Sequence, residues 1–220
     1  MITIAIIDYD VGNIQSIKSA FEKVGAFAKV TREPREILDA DGVVLPGVGA
    51  FAHGMEKLTH YKLDLVLKEI AANGTPLLGI CLGMQMLFST SSEFGSSEGL
   101  GIIPGKVVKL PLLDENYQKL PHVSWSELEN RKQINWSNTI LDSINEGEDM
   151  YFVHSFHASP QDVHHILSET QYSGNTFCST VRKDNVFGCQ YHPEKSSVEG
   201  LKIIENFAKI CGRRKNVRKT

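Results

Sequence analysis

The segment Gly79-Ile80-Cys81-Leu82-Gly83 places a thiol midway between two glycines, where an apolar run, Pro76 to Ile80, meets a helix-like stretch, Met84 to Phe88. This is the G-x-nucleophile-x-G form of a nucleophile elbow, a sharp strand-to-helix turn that presents a reactive side chain. Such a turn needs neighbours without bulk two residues to either side, and the helix N-terminus beyond it favours the negative thiolate. A lone cysteine is more often an inert buried thiol; the glycine frame and the strand-helix context set Cys81 apart.

A cysteine nucleophile needs a base, and the base needs an orienting group. His192-Pro193-Glu194 offers both. In an extended continuation of the strand Val186 to His192, residues two apart point to the same side, so Glu194 can hold the His192 ring in its useful tautomer. An isolated His and Glu at a strand end is otherwise a solvated surface pair. Among the other histidines, His164 and His165 lack a nearby glycine frame, and His53, His60 and His122 fall in loop-like sequence. His154 and His157 flank Ser155-Phe156 after a strand. Acyl transfer also needs backbone donors aimed at an oxyanion. The Leu82 amide, one residue past the nucleophile, is the natural first donor. Pro46-Gly47-Val48-Gly49 ends an earlier strand, and its glycines permit the positive φ or close approach that a second donor at Val48 or Gly49 requires; a plain turn accounts for them equally well.

These groups need a scaffold that brings distant strand ends together. Ile2 to Ile7 reads as a buried strand; Asn13 can cap a helix with Ile14, Ile17, Ala20, Phe21 and Val24 on one face; Gly25 ends it. Strands Phe27 to Thr31, Gly42 to Leu45 and Pro76 to Ile80 follow, with a helix from Leu63 to Ala72 before the last. That alternation implies an α/β fold: an open, mostly parallel twisted sheet with helices on both faces. The second half is richer in strands, near 105–110, 150–154, 165–170, 177–182 and 186–192, and Tyr172-Ser173-Gly174-Asn175 suggests a hairpin. It therefore adds a smaller antiparallel strand region. Val198 to Cys211 closes as an amphipathic helix, and the polar stretch from Leu112 to Gly147 is the least readable.

The composition, 41% hydrophobic and 22% charged over 220 residues, is that of an ordinary globular chain, and a single domain over 1–220 is expected. A net charge of −3 argues against nucleic-acid or membrane-surface partners, with basic residues clustered only in the tail from Arg213 to Lys219. The early apolar run is too short for a signal h-region or a membrane span, so the expected location is cytoplasmic. The four cysteines have no metal-ligand spacing, and neither a metal site nor a cofactor is expected.

Pro46-Gly47-Val48-Gly49, Gly79 through Gln85 and His192-Pro193-Glu194, taken together and in order, resemble the class I triad glutamine amidotransferases across nearly the whole chain. Within that group the chain is similar to the glutaminase subunit of imidazole glycerol phosphate synthase. The motifs are Asp8-Tyr9 through Gly12-Asn13, the PGVG form, Pro121-His122-Val123-Ser124-Trp125, Tyr151-Phe152-Val153-His154-Ser155 and Lys195-Ser196-Ser197. The resemblance implies that Cys81 attacks the side-chain amide of L-glutamine, His192 carries the proton to the departing ammonia and Glu194 orients His192. It implies substrate contacts at Gly47, Gln85, Ser155 and Phe156, and a (β/α)8 barrel cyclase as heterodimer partner. That partner would use the ammonia to make imidazole glycerol phosphate and an aminoimidazole carboxamide ribotide in histidine biosynthesis. Asn13, Trp125, Tyr151 and Lys195 match the interface and ammonia path. Asp10 stands where Gly is common, Ser124 replaces a frequent Gly, and Glu127 to Glu148 is longer than a minimal member requires. These departures leave open the same chemistry feeding another synthase, such as one amidating a surface sugar, beside a stand-alone cysteine hydrolase of γ-glutamyl compounds.

Overall fold

The computed structural model describes residues 1–112, 119–130 and 133–217. The first half alternates as expected: β1 (Thr3–Ile7), α1 (Ile14–Lys23), β2 (Phe27–Thr31), α2 (Pro34–Asp39), β3 (Gly42–Leu45), α3 (Phe51–His60), α4 (Leu63–Ala72), β4 (Leu77–Ile80) and α5 (Leu82–Met86). Strands β5 (Phe88–Ser91), β6 (Ser97–Glu98), β7 (Ile103–Lys109), β8 (His122–Glu127), β9 (Asp149–His154) and β10 (Phe156–Pro160) follow. Then come β11 (Ile166–Tyr172), β12 (Asn175–Lys183), β13 (Val186–Cys189) and the closing helix α6 (Ser197–Val217).

The main sheet has seven strands in the order β11-β12-β13-β4-β3-β1-β2. From β13 to β2 every pairing is parallel, and β11 and β12 add antiparallel strands at one edge. The parallel strands are apolar on both faces because both faces are covered. Ile4, Ile6, Leu78 and Ile80 point into a core with Ile17 and Phe21 of α1 and Ile203 and Phe207 of α6. Ala5, Ile7, Val43 and Leu77 point the other way, against Ile37 of α2, Phe51 of α3, Leu67 of α4 and Met84 of α5. The period of two along each strand thus assigns alternate residues to the two cores. A four-stranded sheet, β10-β7-β5-β6, and the antiparallel pair β8-β9 complete the architecture.

Several expectations need correction. The helix beyond Cys81 spans Leu82–Met86, and Phe88, assigned to that helix from sequence, begins β5 instead. Helices α2 and α3, absent from the sequence reading, cover the second core face. His122 lies in β8, not in a loop. The strand expected to reach His192 stops at Cys189, and Pro193–Lys195 forms a 3-10 turn. The hairpin at 172–175 is present, with Tyr172 paired to Asn175. In the unreadable stretch, Leu128, Trp136, Ile140, Leu141 and Ile144 are buried beside α6, and the Trp136 Nε1–H donates to the Leu167 carbonyl at 2.7 Å. Of the basic tail, Arg218 and Lys219 lie outside the described residues.

Glycine matters most where β4 turns into α5. A Cβ on Gly79 would sit 2.7 Å from the Gly83 carbonyl oxygen and from the Met84 backbone nitrogen, and one on Gly83 would overlap the Leu45 carbonyl. Gly79→Ala is therefore expected to destabilise the protein by roughly 2–4 kcal/mol in urea unfolding, through overpacking against backbone. Gly74→Ala, in open space at φ +69°, loses only about 1 kcal/mol from its left-handed backbone.

Candidate active site

Cys81 adopts φ 54° and ψ −112°, a region that costs a non-glycine residue about 1–3 kcal/mol. Its backbone is held from both sides: its N–H donates to the Cys189 carbonyl at 2.7 Å, and its carbonyl accepts from the Gln85 N–H at 3.1 Å. The bend puts the side chain, 6% exposed, at the edge of a cavity of about 250 Å³ above the carboxyl ends of β3 and β4. Val48, Gly49, Leu82, Gln85, Ser155, Phe156 and His192 line the same cavity, beside Glu93, Val153 and His154.

His192 is 2% exposed, and its Nδ1 meets Glu194 Oε1 at 2.9 Å, with the carboxylate fully buried. The pairing foreseen from strand alternation is made instead by the 3-10 turn, which folds Glu194 back onto the ring it follows. Burial works against a charged ring, but the neighbouring Cys81 sulfur and the Glu194 carboxylate outweigh it, so the His192 pKa is pushed up to about 10. Its Nε2 has no hydrogen-bond partner among the described residues. Buried, charged and unpartnered, this N–H is available to a molecule in the cavity.

Gln85 sits one helical turn past Cys81 and is 5% exposed. Its Nε2 donates to the Phe156 carbonyl at 2.8 Å and to Gln190 Oε1 at 3.0 Å, so both N–H groups are engaged and only Oε1 remains for a ligand. Gln190, fully buried, in turn points its amide nitrogen at Cys81 Sγ, 3.9 Å away. Sequence reasoning passed over Gln190, although an amide inside the otherwise apolar run Val186 to Tyr191 is a signal. Glu93 carried none, since it lies in the loop after β5; its Oε2 accepts from the Phe51 N–H at 2.7 Å.

Two of the expected backbone positions stand differently. Gly47 is not among the cavity residues: its carbonyl accepts from the Leu82 N–H at 3.3 Å, which occupies the first oxyanion donor. Gly47 packs here because a Cβ would approach the Tyr9 hydroxyl to 2.7 Å, and that buried hydroxyl donates to the Pro46 carbonyl at 2.6 Å. Val48 and Gly49 face the cavity, with Gly49 at φ +97°.

The model of the class-I glutamine amidotransferase family matches residues 5–211. The chain belongs to the class-I glutamine amidotransferases. Among curated relatives, imidazole glycerol phosphate synthase subunit HisH 1 of Legionella pneumophila (strain Lens) is 44% identical over 213 residues, covering 96% of this chain and 100% of that protein. Subunit HisH of Syntrophotalea carbinolica is 43% identical over 207 residues, covering 93% and 98%. PurLQS from Thermotoga maritima shares the fold with a TM-score of 0.70 at 17% identity, covering 94% of this chain and 98% of that one.

Beyond the cavity, this amidotransferase gathers three of its four expected interface residues. The Trp125 and Tyr151 ring centroids lie 6.0 Å apart, Tyr151 is 6.5 Å from the His192 ring, and Lys195 Nζ stands 5.9 Å over Tyr151. Trp125 is 49% and Val123 54% exposed, making an apolar surface beside the ring that holds the unpartnered nitrogen. Asn13 takes no part in these ring contacts; it precedes α1, whose first turn lines a surface cavity with Lys195, and its Oδ1 accepts from the Ser16 hydroxyl at 3.0 Å.

Because its pKa is raised from 6.5 to about 10, His192 is expected to remain imidazolium across neutral pH, and the stability this contributes is complete below pH 6.5 and lost as pH rises through about 10. Ring 15N shifts followed against pH check this. Cys81→Ala and Glu194→Gln should each move the midpoint downward.

Proposed function

We propose that the chain is one glutamine amidotransferase domain that hydrolyses L-glutamine through Cys81, His192 and Glu194 and passes the ammonia to a barrel-shaped synthase subunit. The observation that carries the reading is the strained thiol facing a cavity into which a buried, charged imidazole directs its free Nε2. The Cys81 sulfur attacks the glutamine carboxamide carbon, forming the S–C bond and a tetrahedral oxyanion. His192 then delivers its Nε2 proton to the amide nitrogen; the C–N bond breaks and ammonia leaves. Water, deprotonated by the now neutral ring, hydrolyses the thioester to glutamate and regenerates the pair. Glu194 keeps the Nδ1 side of the ring occupied, so the reacting proton resides on Nε2.

The substrate's α-ammonium has two natural partners, the Glu93 carboxylate and Gln85 Oε1, both acceptors lining the cavity. Ser155 and Phe156 supply the wall opposite Cys81. For the oxyanion, Val48 or Gly49 is the second donor and Leu82 the first, once the Leu82 N–H leaves the Gly47 carbonyl. Removing one such donor costs about 10²–10³ in rate, so the chain by itself is a slow glutaminase.

Ammonia is useful only if it reaches its acceptor before it is protonated in bulk water. The relatives named HisH are subunits of imidazole glycerol phosphate synthase. We assign this chain to the same heterodimer, a lyase of histidine biosynthesis, with Trp125, Tyr151 and Lys195 beside the ammonia exit and Asn13 on the docking face. The free thiols of Cys81, Cys189 and Cys211 suit the cytoplasm. No helix among the described residues is long and apolar enough to cross a membrane.

Adding the barrel subunit with its nucleotide ligand should raise glutamate release by about 10²–10³, and equal rates with and without partner would sink the coupled reading. Cys81→Ala should abolish glutamine hydrolysis yet spare ammonia-dependent synthesis by the complex; loss of both would mean that Cys81 has another role.

A further inference from the structure

Two histidines outside the triad are buried at the cavity wall: His154, which lines the cavity, and His122 behind it. His122 on β8 is 0% exposed and pairs across the strands with His154 on β9, itself 6% exposed. His154 Nδ1 lies 2.9 Å from the Phe156 carbonyl oxygen, His154 Nε2 lies 3.1 Å from His122 Nδ1, and His122 Nε2 lies 3.0 Å from Ser126 Oγ. A carbonyl oxygen only accepts, so His154 carries its proton on Nδ1. Its Nε2 is then a lone pair, which must be met by a proton on His122 Nδ1. His122 Nε2 is left as an acceptor for the Ser126 hydroxyl. Burial pushes the His122 pKa down to about 4, and burial together with the neighbouring His122 pushes His154 down to about 3, so both rings are neutral and each has one proton to place. One tautomer on each ring satisfies every contact.

The chain ends on the segment that walls the cavity. The Phe156 carbonyl also accepts from Gln85 Nε2 at 2.8 Å, and the Ser155 carbonyl accepts from the Leu110 N–H at 2.9 Å. Both wall carbonyls are therefore tied to protein donors. We propose that His122 is a positioning residue for glutamine binding: by donating to His154 Nε2 it holds His154 as the Nδ1–H tautomer, which fixes the Phe156 carbonyl and with it the Ser155-Phe156 wall. Packing alone does not call for an imidazole at 122. The ring stacks between Phe152, at 5.1 Å, and Tyr172, at 4.0 Å, a slot that a phenyl ring would fill without burying ring nitrogens.

This inference rests on the glutaminase reading, and its tests separate the two. In the complex with the barrel subunit, His122→Phe keeps the stack but removes the donor. The KM for glutamine should rise about tenfold with kcat changed less than about twofold, since a buried acceptor is left unmet. His122→Asn, whose amide N–H stands near the lost Nδ1–H, should recover most of the KM. In a His154→Asn background the 154 side chain donates without needing a tautomer set for it, so His122→Phe should add nothing further. Ring 15N shifts of the full chain alone should show His154 protonated on Nδ1, and a second tautomer appearing in His122→Phe. A wild-type His154 protonated on Nε2, an unchanged KM in His122→Phe, or an equal KM rise in both backgrounds overturns the proposal. If His122→Phe does not fold, the wild-type 15N shifts and the KM of His122→Asn still decide it, a tenfold KM rise in that variant counting against the proposal. Failure of Cys81→Ala to stop glutamine hydrolysis would sink the glutaminase reading and leave the tautomer assignment standing.

Discussion

A cysteine held at φ 54° between two glycines is the constraint around which the molecule is arranged. A bend of this kind is unfavourable for an isolated chain and persists only where its surroundings over-determine it. Here the Cys81 N–H is taken by β13 and its carbonyl by α5, while Gly79 and Gly83 let Met84 and the end of β3 close in where any side chain would collide. The same parallel pairing that restrains the bend sets the carboxyl ends of β3, β4 and β13 side by side. The PGVG loop, the thiol and the His192 turn therefore converge although 145 positions separate Gly47 from His192. Ligands of open α/β sheets bind at such strand ends for this reason.

The second organising element is a buried carbonyl. The Phe156 oxygen can only accept, and it takes one proton from Gln85 and one from His154. From Gln85 the direction of donation passes to Gln190 and on toward the Cys81 sulfur; from His154 it passes back through His122 to Ser126. Amide and imidazole groups could each sit two ways round, and in a low-dielectric interior the wrong choice strands a polar atom. One acceptor with no freedom of its own settles the polarity of four side chains. Rigidity of the cavity wall thus comes from hydrogen-bond direction as much as from close packing.

His192 illustrates how environment makes a residue. Desolvation would keep the ring neutral, as it does for His122 and His154 a short distance away. Only the sulfur and the buried Glu194 carboxylate reverse the sign at position 192. Three buried histidines thereby divide into one charged ring and two neutral hydrogen-bonding groups, a difference set by their neighbours.

What could be read from the linear chain was what local pattern encodes. Apolar runs covered on both faces, the 3.6 period of α1 and α4, the glycine frame around Cys81 and the two-residue interval of His192 and Glu194 are all short-range features, and they marked the parallel sheet and the cysteine, histidine and glutamate that the fold brings together. Less local features were misread or missed. The strand was extended to His192 because periodicity does not register where a 3-10 turn begins, and α2 and α3 went unseen because their cover of the second core depends on the sheet beneath them. His122 looked like a loop residue because, among the described residues, its strand, β8, pairs only with β9, which lies more than twenty positions later. The tertiary structure alone decided which of three buried histidines is charged, that Gln85 offers a ligand an oxygen and not its N–H groups, and that Leu82 donates to Gly47. Charge state and hydrogen-bond direction depend on what surrounds a group in space, and residue order along a chain does not record that.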